Sequence, residues 1–213
     1  MPDRIRLVLG TRSADKLREV REILAARATY EILGLHDLGI EPAPEEEGIE
    51  IHDTFQENAR AKALYFAERT GLPTLADDSG LAVDALGGAP GVRSKRFSSR
   101  LDLSGRALDE ANNALLIEKL ADVPTEARSA HYVCAAALAF PGGPAVTALG
   151  TCAGQIAHQP RGQGGFGYDP LFLLPDLGVT FGEASPEEKQ RRSHRARAFR
   201  ALIANLGRIA TRG

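Results

Sequence analysis

The sequence contains a pair of adjacent aspartates in a setting that suits a metal site. Asp77 and Asp78 follow a short apolar run and precede Ser79 and Gly80, so the pattern predicts a strand that presents two carboxylates at its exposed end. Neighbouring carboxylates repel one another unless a cation lies between them. Oxygen-only ligand sets suit Mg²⁺, which commonly accompanies a phosphate-bearing substrate. A surface turn closed by glycine is the alternative interpretation.

A second candidate segment runs from Thr11 to Lys16, directly after the first predicted strand. A strand-turn-helix junction leaves backbone N–H groups at the start of the helix that can bind an anion. Thr11 and Ser13 add hydroxyl groups, and Lys16 adds a positive charge. The segment lacks the glycine pattern of a Walker A loop. It therefore predicts a phosphate contact of another kind, and an ordinary solvated lysine is the alternative.

An acidic loop, residues 45–50, precedes a helix whose start is well marked. Thr54 and Glu57 have the spacing of a capping box. A glutamate of the loop can supply an additional metal ligand. Asn58 and Lys62 are four residues apart and so share one face of this helix, where they can present an amide and an ammonium group to phosphates. A solvated helix surface is the alternative.

Residues 162–170 form a glycine-rich segment that contains two aromatic residues, Phe166 and Tyr168, on either side of Gly167. Glycine allows the backbone to approach a ligand closely, and aromatic rings offer faces on which a planar base stacks. Asp169 precedes a proline, which holds it extended, and its carboxylate can accept hydrogen bonds. Alternatively, the two aromatic rings pin a structural loop into the core.

Basic side chains are dense between Lys189 and Arg200. Such a run is typical either of a nucleic-acid surface or of a solvated helix. Within it, Ser193, His194 and Arg195 offer a hydroxyl group, an imidazole and a planar guanidinium, which can recognise a base oxygen or a phosphate. A structural role is the alternative for the histidine.

The elements that must position these residues alternate along the chain. Strands are predicted over residues 5–9, 30–33, 75–78, 81–83, 130–140 and 145–152, and helices over residues 14–26, 55–69, 104–120 and 185–206. The last two strands are joined by Pro-Gly-Gly-Pro as a long hairpin. This order predicts an α/β or α+β sheet with helices on its faces and a cleft between lobes, in a single domain over residues 1–213.

Composition narrows the class of protein. The chain has 213 residues, of which 43% are hydrophobic and 25% charged, as in ordinary globular proteins. A net charge of −2 argues against nucleic acid as the general partner. The sequence has neither an apolar stretch of spanning length nor a signal peptide, so we expect a cytoplasmic protein without a membrane partner. Cys134 and Cys152 are expected to be buried free thiols.

Taken together, these segments resemble the inosine triphosphatase family, pyrophosphatases that act on deaminated purine nucleoside triphosphates. The matching runs occur in the family's order and are residues 11–19, 54–59, 62–63, 76–92, 164–170, 188–189 and 193–195. The resemblance implies an elongated, two-lobed α/β fold with a mixed sheet, flanking helices and a central cleft, and a homodimer. It also implies Mg²⁺-dependent hydrolysis of ITP, dITP and XTP to the monophosphate and pyrophosphate.

The resemblance also assigns roles to residues. Asp78 matches the family's proton acceptor and a metal position, and Asp77 is its neighbour in the metal cluster. Glu50 matches the other acidic metal position if the register is counted back from Phe55 without a gap, and Glu47 competes for it. The substrate-binding positions expected from motifs and resemblance together are Thr11, Ser13, Lys16, Asn58, Lys62, Ser79, Phe166, Gly167, Tyr168, Asp169, Lys189, His194 and Arg195.

Two departures from the family pattern stand out. The family's Thr-Gly-Asn start is here Thr11-Arg12-Ser13, which removes an amide donor, and its Tyr-Ser-Ala-Arg run is here residues 93–96, which adds charge. Two other functions stay open: a Maf-like pyrophosphatase for pyrimidine or modified nucleotides, and a non-catalytic nucleotide- or RNA-binding module. The paired aspartates disfavour the module because carboxylates repel a nucleic-acid backbone.

Overall fold

A computed structural model describes residues 4–25 and 29–210, with side chains described as far as residue 205. The strands are β1 (Ile5–Leu9), β2 (Tyr30–Gly34), β3 (Thr74–Val83), β4 (Ser129–Ala139), β5 (Ala145–Ile156), β6 (Phe172–Leu174) and β7 (Val179–Thr180). The helices are α1 (Ala14–Leu24), α2 (Phe55–Thr70), α3 (Gly105–Lys119), α4 (Pro186–Arg192) and α5 (His194–Ala210). The predicted end of the first helix, Ala26, lies outside the described residues.

Within the described residues the strands form one mixed sheet in the order β2-β1-β3-β4-β5-β6-β7. β1 pairs in parallel with β2 and with β3, while β6 pairs antiparallel with both β5 and β7. β4 and β5 are neighbours joined by residues 140–144, as the predicted hairpin requires. The predicted α/β class with a mixed sheet and flanking helices is therefore confirmed.

The chain divides into two compact units. The first comprises residues 1–78, 134–150 and 194–213. In it, the apolar stripe of α1 packs with β1 and α5 around Val20, Leu9 and Phe199, as the helical period predicts. On another part of the sheet, Ala59 and Ala63 of α2 pack against alanines of β3 and β4. Because these side chains are small, α2 approaches the sheet closely.

The second unit comprises residues 79–133 and 151–193. Its core combines apolar residues of α3 with an aromatic cluster from β4, β6 and the residue after β7. The rings of Tyr132 and Phe172 lie 4.5 Å apart, and those of Phe172 and Phe181 lie 5.2 Å apart. Such ring pairs contribute about 0.5–1.5 kcal/mol each beyond their buried area. This core supports the glycine-rich segment that follows β5.

Local signals at helix ends are confirmed. Thr54 caps α2 by accepting a hydrogen bond from the backbone N–H of Glu57, and the helix ends at Gly71 in the left-handed conformation that glycine favours. Ser13 caps α1 by accepting from the N–H of Lys16. These caps place Lys16 and the face of α2 that carries Asn58 at defined positions.

The prediction of one helix over residues 185–206 is wrong. Ser193 has an extended backbone (φ −61°, ψ 146°) and separates α4 from α5. Serine favours this conformation immediately before a helix, and Ser193 is buried, so it cannot relax into the helical conformation without disturbing its packing. As a consequence, Lys189 belongs to the second unit and Arg195 to the first.

Cys134 and Cys152 are both buried and free, as predicted. No helix within residues 4–25 and 29–210 combines the length and the apolar character needed to cross a lipid bilayer.

Candidate active site

Asp77 and Asp78 lie inside β3. The strand continues from Thr74 to Val83, so the prediction of a strand that ends at a serine-glycine turn is wrong. β3 continues because β4 pairs beside it, whereas β1 on its other side ends at Leu9, opposite Leu75. The aspartates therefore lie just beyond the carboxyl end of β1, where open α/β sheets bind ligands. Because successive strand residues point to opposite faces, the two carboxylates are directed apart.

Asp77 is fully buried and neutralised by cations. Its Oδ2 lies 3.2 Å from Nζ of Lys16 and 3.2 Å from Nε of Arg195. Burial alone would raise the pKa of Asp77, but Lys16 and Arg195 hold it well below its usual range. Arg195 is itself buried and also donates to Glu19 of α1. Asp77 thus anchors the first turns of α1 and α5.

Asp78 has the opposite electrostatic character. Burial and the negative charge of Glu50 raise its pKa above that of an ordinary aspartate, although Lys16 and Lys62 oppose the shift. Its Oδ2 accepts a hydrogen bond of 2.9 Å from Nδ2 of Asn58. The same amide group exchanges hydrogen bonds with the backbone of His52. Asn58 therefore links Asp78 to His52, two residues after the acidic loop.

Glu50, and not Glu47, is the loop glutamate beside this group. Glu50 forms an ion pair with Nζ of Lys62, whereas Glu47 is exposed. Burial would lower the pKa of Lys62, but Glu50, Asp77 and Asp78 raise it, so the ammonium group is held charged. The first unit thus gathers three carboxylates and two lysines around one stretch of β3.

The predicted Mg²⁺ ligands are not preassembled. Over the parts of the chain that are described, no three acidic, histidine or cysteine side chains form a group that could hold a metal ion. Asp77 instead contacts Lys16 and Arg195, Asp78 contacts Asn58, and Glu50 contacts Lys62. The donor chemistry nevertheless suits a hard cation, because all three side chains are carboxylates, and a cation would offset the repulsion between Glu50 and Asp78. The ligand set stays a prediction.

The hydroxyl groups of the Thr11 to Lys16 segment shape the turn. The Oγ1 of Thr11 accepts from the N–H of Ser13 at 3.2 Å, and the Oγ of Ser13 accepts from the N–H of Lys16 at 3.3 Å. These bonds hold the turn that directs Lys16 toward Asp77. Contacts of Thr11 and Ser13 with a phosphate stay predictions.

The second unit holds another polar cluster, around Asp169. This buried carboxylate accepts from the N–H of Phe166 at 2.9 Å and from Nζ of Lys189 at 2.6 Å. The ammonium of Lys189 lies 5.0 Å from the centre of the Phe166 ring, which is cation–π distance. Gly165 has φ +74°, and a Cβ there would lie 2.1 Å from Asp169 Oδ2, so the turn requires glycine. The arrangement presents an aromatic face beside a cation.

The two aromatic residues of this segment differ in exposure. Tyr168 is 4% exposed, packs in the core and donates from its hydroxyl to the backbone oxygen of Ser94 at 2.8 Å. Phe166 is half-buried. The structural interpretation therefore fits Tyr168, while Phe166 is the better placed for base stacking.

The predicted substrate-binding residues divide between the two units. Thr11, Ser13, Lys16, Asn58, Lys62, His194 and Arg195 belong to the first, and Ser79, Phe166, Gly167, Tyr168, Asp169 and Lys189 to the second. His194 is 5% exposed at the start of α5, and Ser79 is half-buried in β3. The basic run does not form a continuous solvated face, because Arg195 and Lys189 are used in the ion pairs described above.

Sequence reasoning missed two sets of supporting residues. Glu19, which binds Arg195, follows Lys16 by three residues and so shares its helix face. On α3, Asp109 accepts from the N–H of Gly167 at 2.7 Å, and Asn113 donates to the carbonyl of Gly167 at 3.0 Å. Lys16 and Glu19 are three residues apart on α1, and Asp109 and Asn113 are four apart on α3. This helical spacing was the signal in the sequence that each pair shares one helix face.

Comparisons with known proteins agree with this arrangement. A model of the Ham1 family matches residues 7–205. The chain is 49% identical over 208 residues to a Frankia alni protein named dITP/XTP pyrophosphatase, an alignment that covers 97% of this chain and 100% of the relative.

Solved structures give the same result. A HAM1 protein from Coxiella burnetii has a TM-score of 0.80 at 34% identity, covering 96% of this chain and 99% of the other. A Mycobacterium abscessus structure, described as a nucleoside-triphosphatase / dITP/XTP pyrophosphatase, has a TM-score of 0.69 at 42% identity, covering 93% and 99%. The family relationship predicted from the motifs is therefore confirmed. Since both the family model and these relatives span nearly the whole chain, the protein belongs to the Ham1 family.

Proposed function

We propose that this protein hydrolyses deaminated purine nucleoside triphosphates, namely ITP, dITP and XTP, to the monophosphate and pyrophosphate. The observation that carries the proposal is the buried Asp78, which shares its surroundings with Lys16 and Lys62 and whose pKa is raised by burial and by Glu50. A carboxylate of this kind suits proton transfer from water, and lysines suit a polyphosphate. Relatives that align over nearly the full length are named dITP/XTP pyrophosphatase.

In this proposal Asp78 accepts the proton of the attacking water. Asn58 holds the carboxylate in place through its 2.9 Å hydrogen bond. Lys16 and Lys62 bind phosphate oxygens and stabilise the pyrophosphate as it departs. Because both ammonium groups already lie near carboxylates, an arriving polyphosphate competes with Asp77 and Glu50 for them.

Asp78 and Glu50 would hold Mg²⁺, whereas the third predicted ligand, Asp77, is directed to the opposite face of β3. When bound, the cation would neutralise charge on the phosphates and on the attacking water.

Phe166 and Lys189 are the proposed base contacts. Phe166 would stack on the purine, and Lys189 would donate to its 6-oxo group. A donor fixed for an oxo group would face the amino group of adenine unsatisfied, which disfavours ATP. We further propose that residues 1–213 act as one catalytic domain, that the protein is a cytoplasmic homodimer, and that nucleic acid is not its partner.

Pyrophosphate release from dITP, ITP, XTP, dTTP, ATP and GTP tests this function, with Mg²⁺ and then with EDTA. The expected result is Mg²⁺-dependent release from the three deaminated nucleotides, slow release from ATP and GTP, and loss in Asp78→Asn. Asp102→Asn, in an exposed ion pair with Arg100, is the matched control. Preference for dTTP would favour the Maf-like alternative, and binding without turnover would favour the binding module.

A further inference from the structure

Arg12, in the turn between β1 and α1, binds the segment of residues 40–46. Its Nε and Nη2 donate to the two carboxylate oxygens of Glu46 at 3.0 and 2.6 Å, a bidentate pair. Nη1 donates to the carbonyl of Ile40 at 2.6 Å, and Nη2 also to the carbonyl of Glu41 at 2.8 Å. Every guanidinium nitrogen therefore has a protein acceptor, and all of these acceptors lie in one segment.

Arg69, at the end of α2, binds the same segment. Its Nη1 donates to Oε1 of Glu46 at 2.8 Å, and its Nη2 donates to the carbonyl of Glu41 at 2.7 Å. The N–H of Ala43 adds a further hydrogen bond to Glu46. Two guanidinium groups from separate elements thus converge on a carboxylate whose side chain is only 16% exposed.

The segment that Arg12 and Arg69 bind, residues 40–46, lies shortly before Glu50 in the chain. Glu46 lies in a short 3-10 helix, Pro44–Gly48, which is followed by Ile49, a buried residue. Glu50 comes next and pairs with Lys62 beside Asp78. The position of Glu50 therefore depends on how this short helix is held.

We propose that Arg12, Glu46 and Arg69 form a positioning cluster that sets Glu50 beside Asp78. This inference rests on the proposed function for its kinetic consequences, but the fastening of the loop does not. The cluster would act on the reaction through Glu50, while Arg12 itself would make no phosphate contact.

The test compares Arg12→Ala, Arg69→Ala and Glu46→Gln with Arg18→Ala, which removes an exposed ion pair on α1. Hydrogen exchange of the backbone amides of residues 43–50 is measured in each nucleotide-free protein, together with kcat, KM for dITP and the Mg²⁺ concentration for half-maximal rate. We expect faster exchange in this segment and a roughly 10- to 100-fold loss of kcat in the three cluster variants, a raised Mg²⁺ requirement, and wild-type behaviour of Arg18→Ala.

A double-mutant cycle separates positioning from substrate contact. If Arg12 acts through Glu50, Arg12→Ala added to Glu50→Gln lowers kcat no further. Losses that multiply in the double variant would overturn the proposal. So would a rise in KM for dITP with unchanged kcat and unchanged exchange, since that result would place Arg12 on the phosphates.

The two proposals fail differently. If the wild-type protein releases no pyrophosphate from any nucleotide, the proposed function fails, and the exchange data still decide whether the cluster holds the loop. If the wild type is active and exchange in the segment is the same in all variants, the positioning cluster fails and the function stands.

Discussion

Replacing Asp77 and Asp78 one at a time by asparagine is expected to change the free energy of unfolding in opposite directions. The residues are neighbours in β3 and both are buried. Asp77 interacts chiefly with cations, which lower its pKa, whereas the pKa of Asp78 is raised by burial and by Glu50. Asparagine keeps the shape of each side chain and removes the charge, so the pair isolates the electrostatic environment.

The structure sets the size of the effect at Asp77. Breaking a buried ion pair by removing one partner destabilises a protein by about 3–5 kcal/mol. The lower end applies here, because Arg195 retains Glu19 and the Lys16 side chain is 17% exposed. We therefore expect a loss of about 3 kcal/mol, which lowers the Tm by roughly 6–12 °C for a chain of this size. Asp78→Asn is expected to be at least as stable as the wild type at pH 7.

The assay is urea unfolding followed by circular dichroism, since the chain contains no tryptophan, in EDTA and without nucleotide. The pH dependence of the free energy of unfolding distinguishes the two sites. The depressed pKa of Asp77 means that its stabilisation is complete above about pH 4, the ordinary aspartate pKa, and decreases as the pH falls below it. The raised pKa of Asp78 means that its charge opposes folding above that pKa, and that this destabilisation is absent below about pH 4, the ordinary aspartate pKa.

Asp15→Asn is the control for a surface charge, with an expected change below about 1 kcal/mol. An Asp77→Asn variant that loses no more stability than this control would contradict the stabilisation of Asp77 by cations. So would an Asp78→Asn variant destabilised as strongly as Asp77→Asn, because the two sites would then not differ in electrostatic character.

Three further results are expected. Lys62→Gln should lower kcat/KM for dITP about 100-fold. It should also move the acidic limb of the pH–rate profile to higher pH, because Lys62 opposes the effect of Glu50 on the pKa of Asp78. An acidic limb at the wild-type pH would contradict this. Lys189→Ala should raise KM for dITP about five- to tenfold with little change in kcat, because its ammonium lies beside Phe166; steady-state kinetics decides between KM and kcat. EDTA should abolish turnover and Mg²⁺ should restore it while the circular dichroism spectrum stays the same; a changed spectrum would indicate unfolding instead.

Much of the molecule was predictable because it depends on local chemistry. Thr54 caps a helix in any context that leaves its hydroxyl beside the N–H of Glu57, and the apolar period of α1 points to one buried face. The motifs around Asp78 and Phe166 identified the family because their residue types and order carry the function. The choice between Glu47 and Glu50 was not local, since it depends on which glutamate meets Lys62 across the loop.

The starts of α1 to α4, the α/β class and the family follow from the sequence, since each rests on neighbouring residues or on a motif read in order. That β3 continues through Asp77 and Asp78 follows only from the folded chain, because the strand that pairs beside it, β4, is distant in the sequence. The opposite pKa shifts of the two aspartates also follow only from the fold. Arg195 lies 118 residues from Asp77 in sequence, and a pKa depends on distance in space, where folding alone brings such charges together.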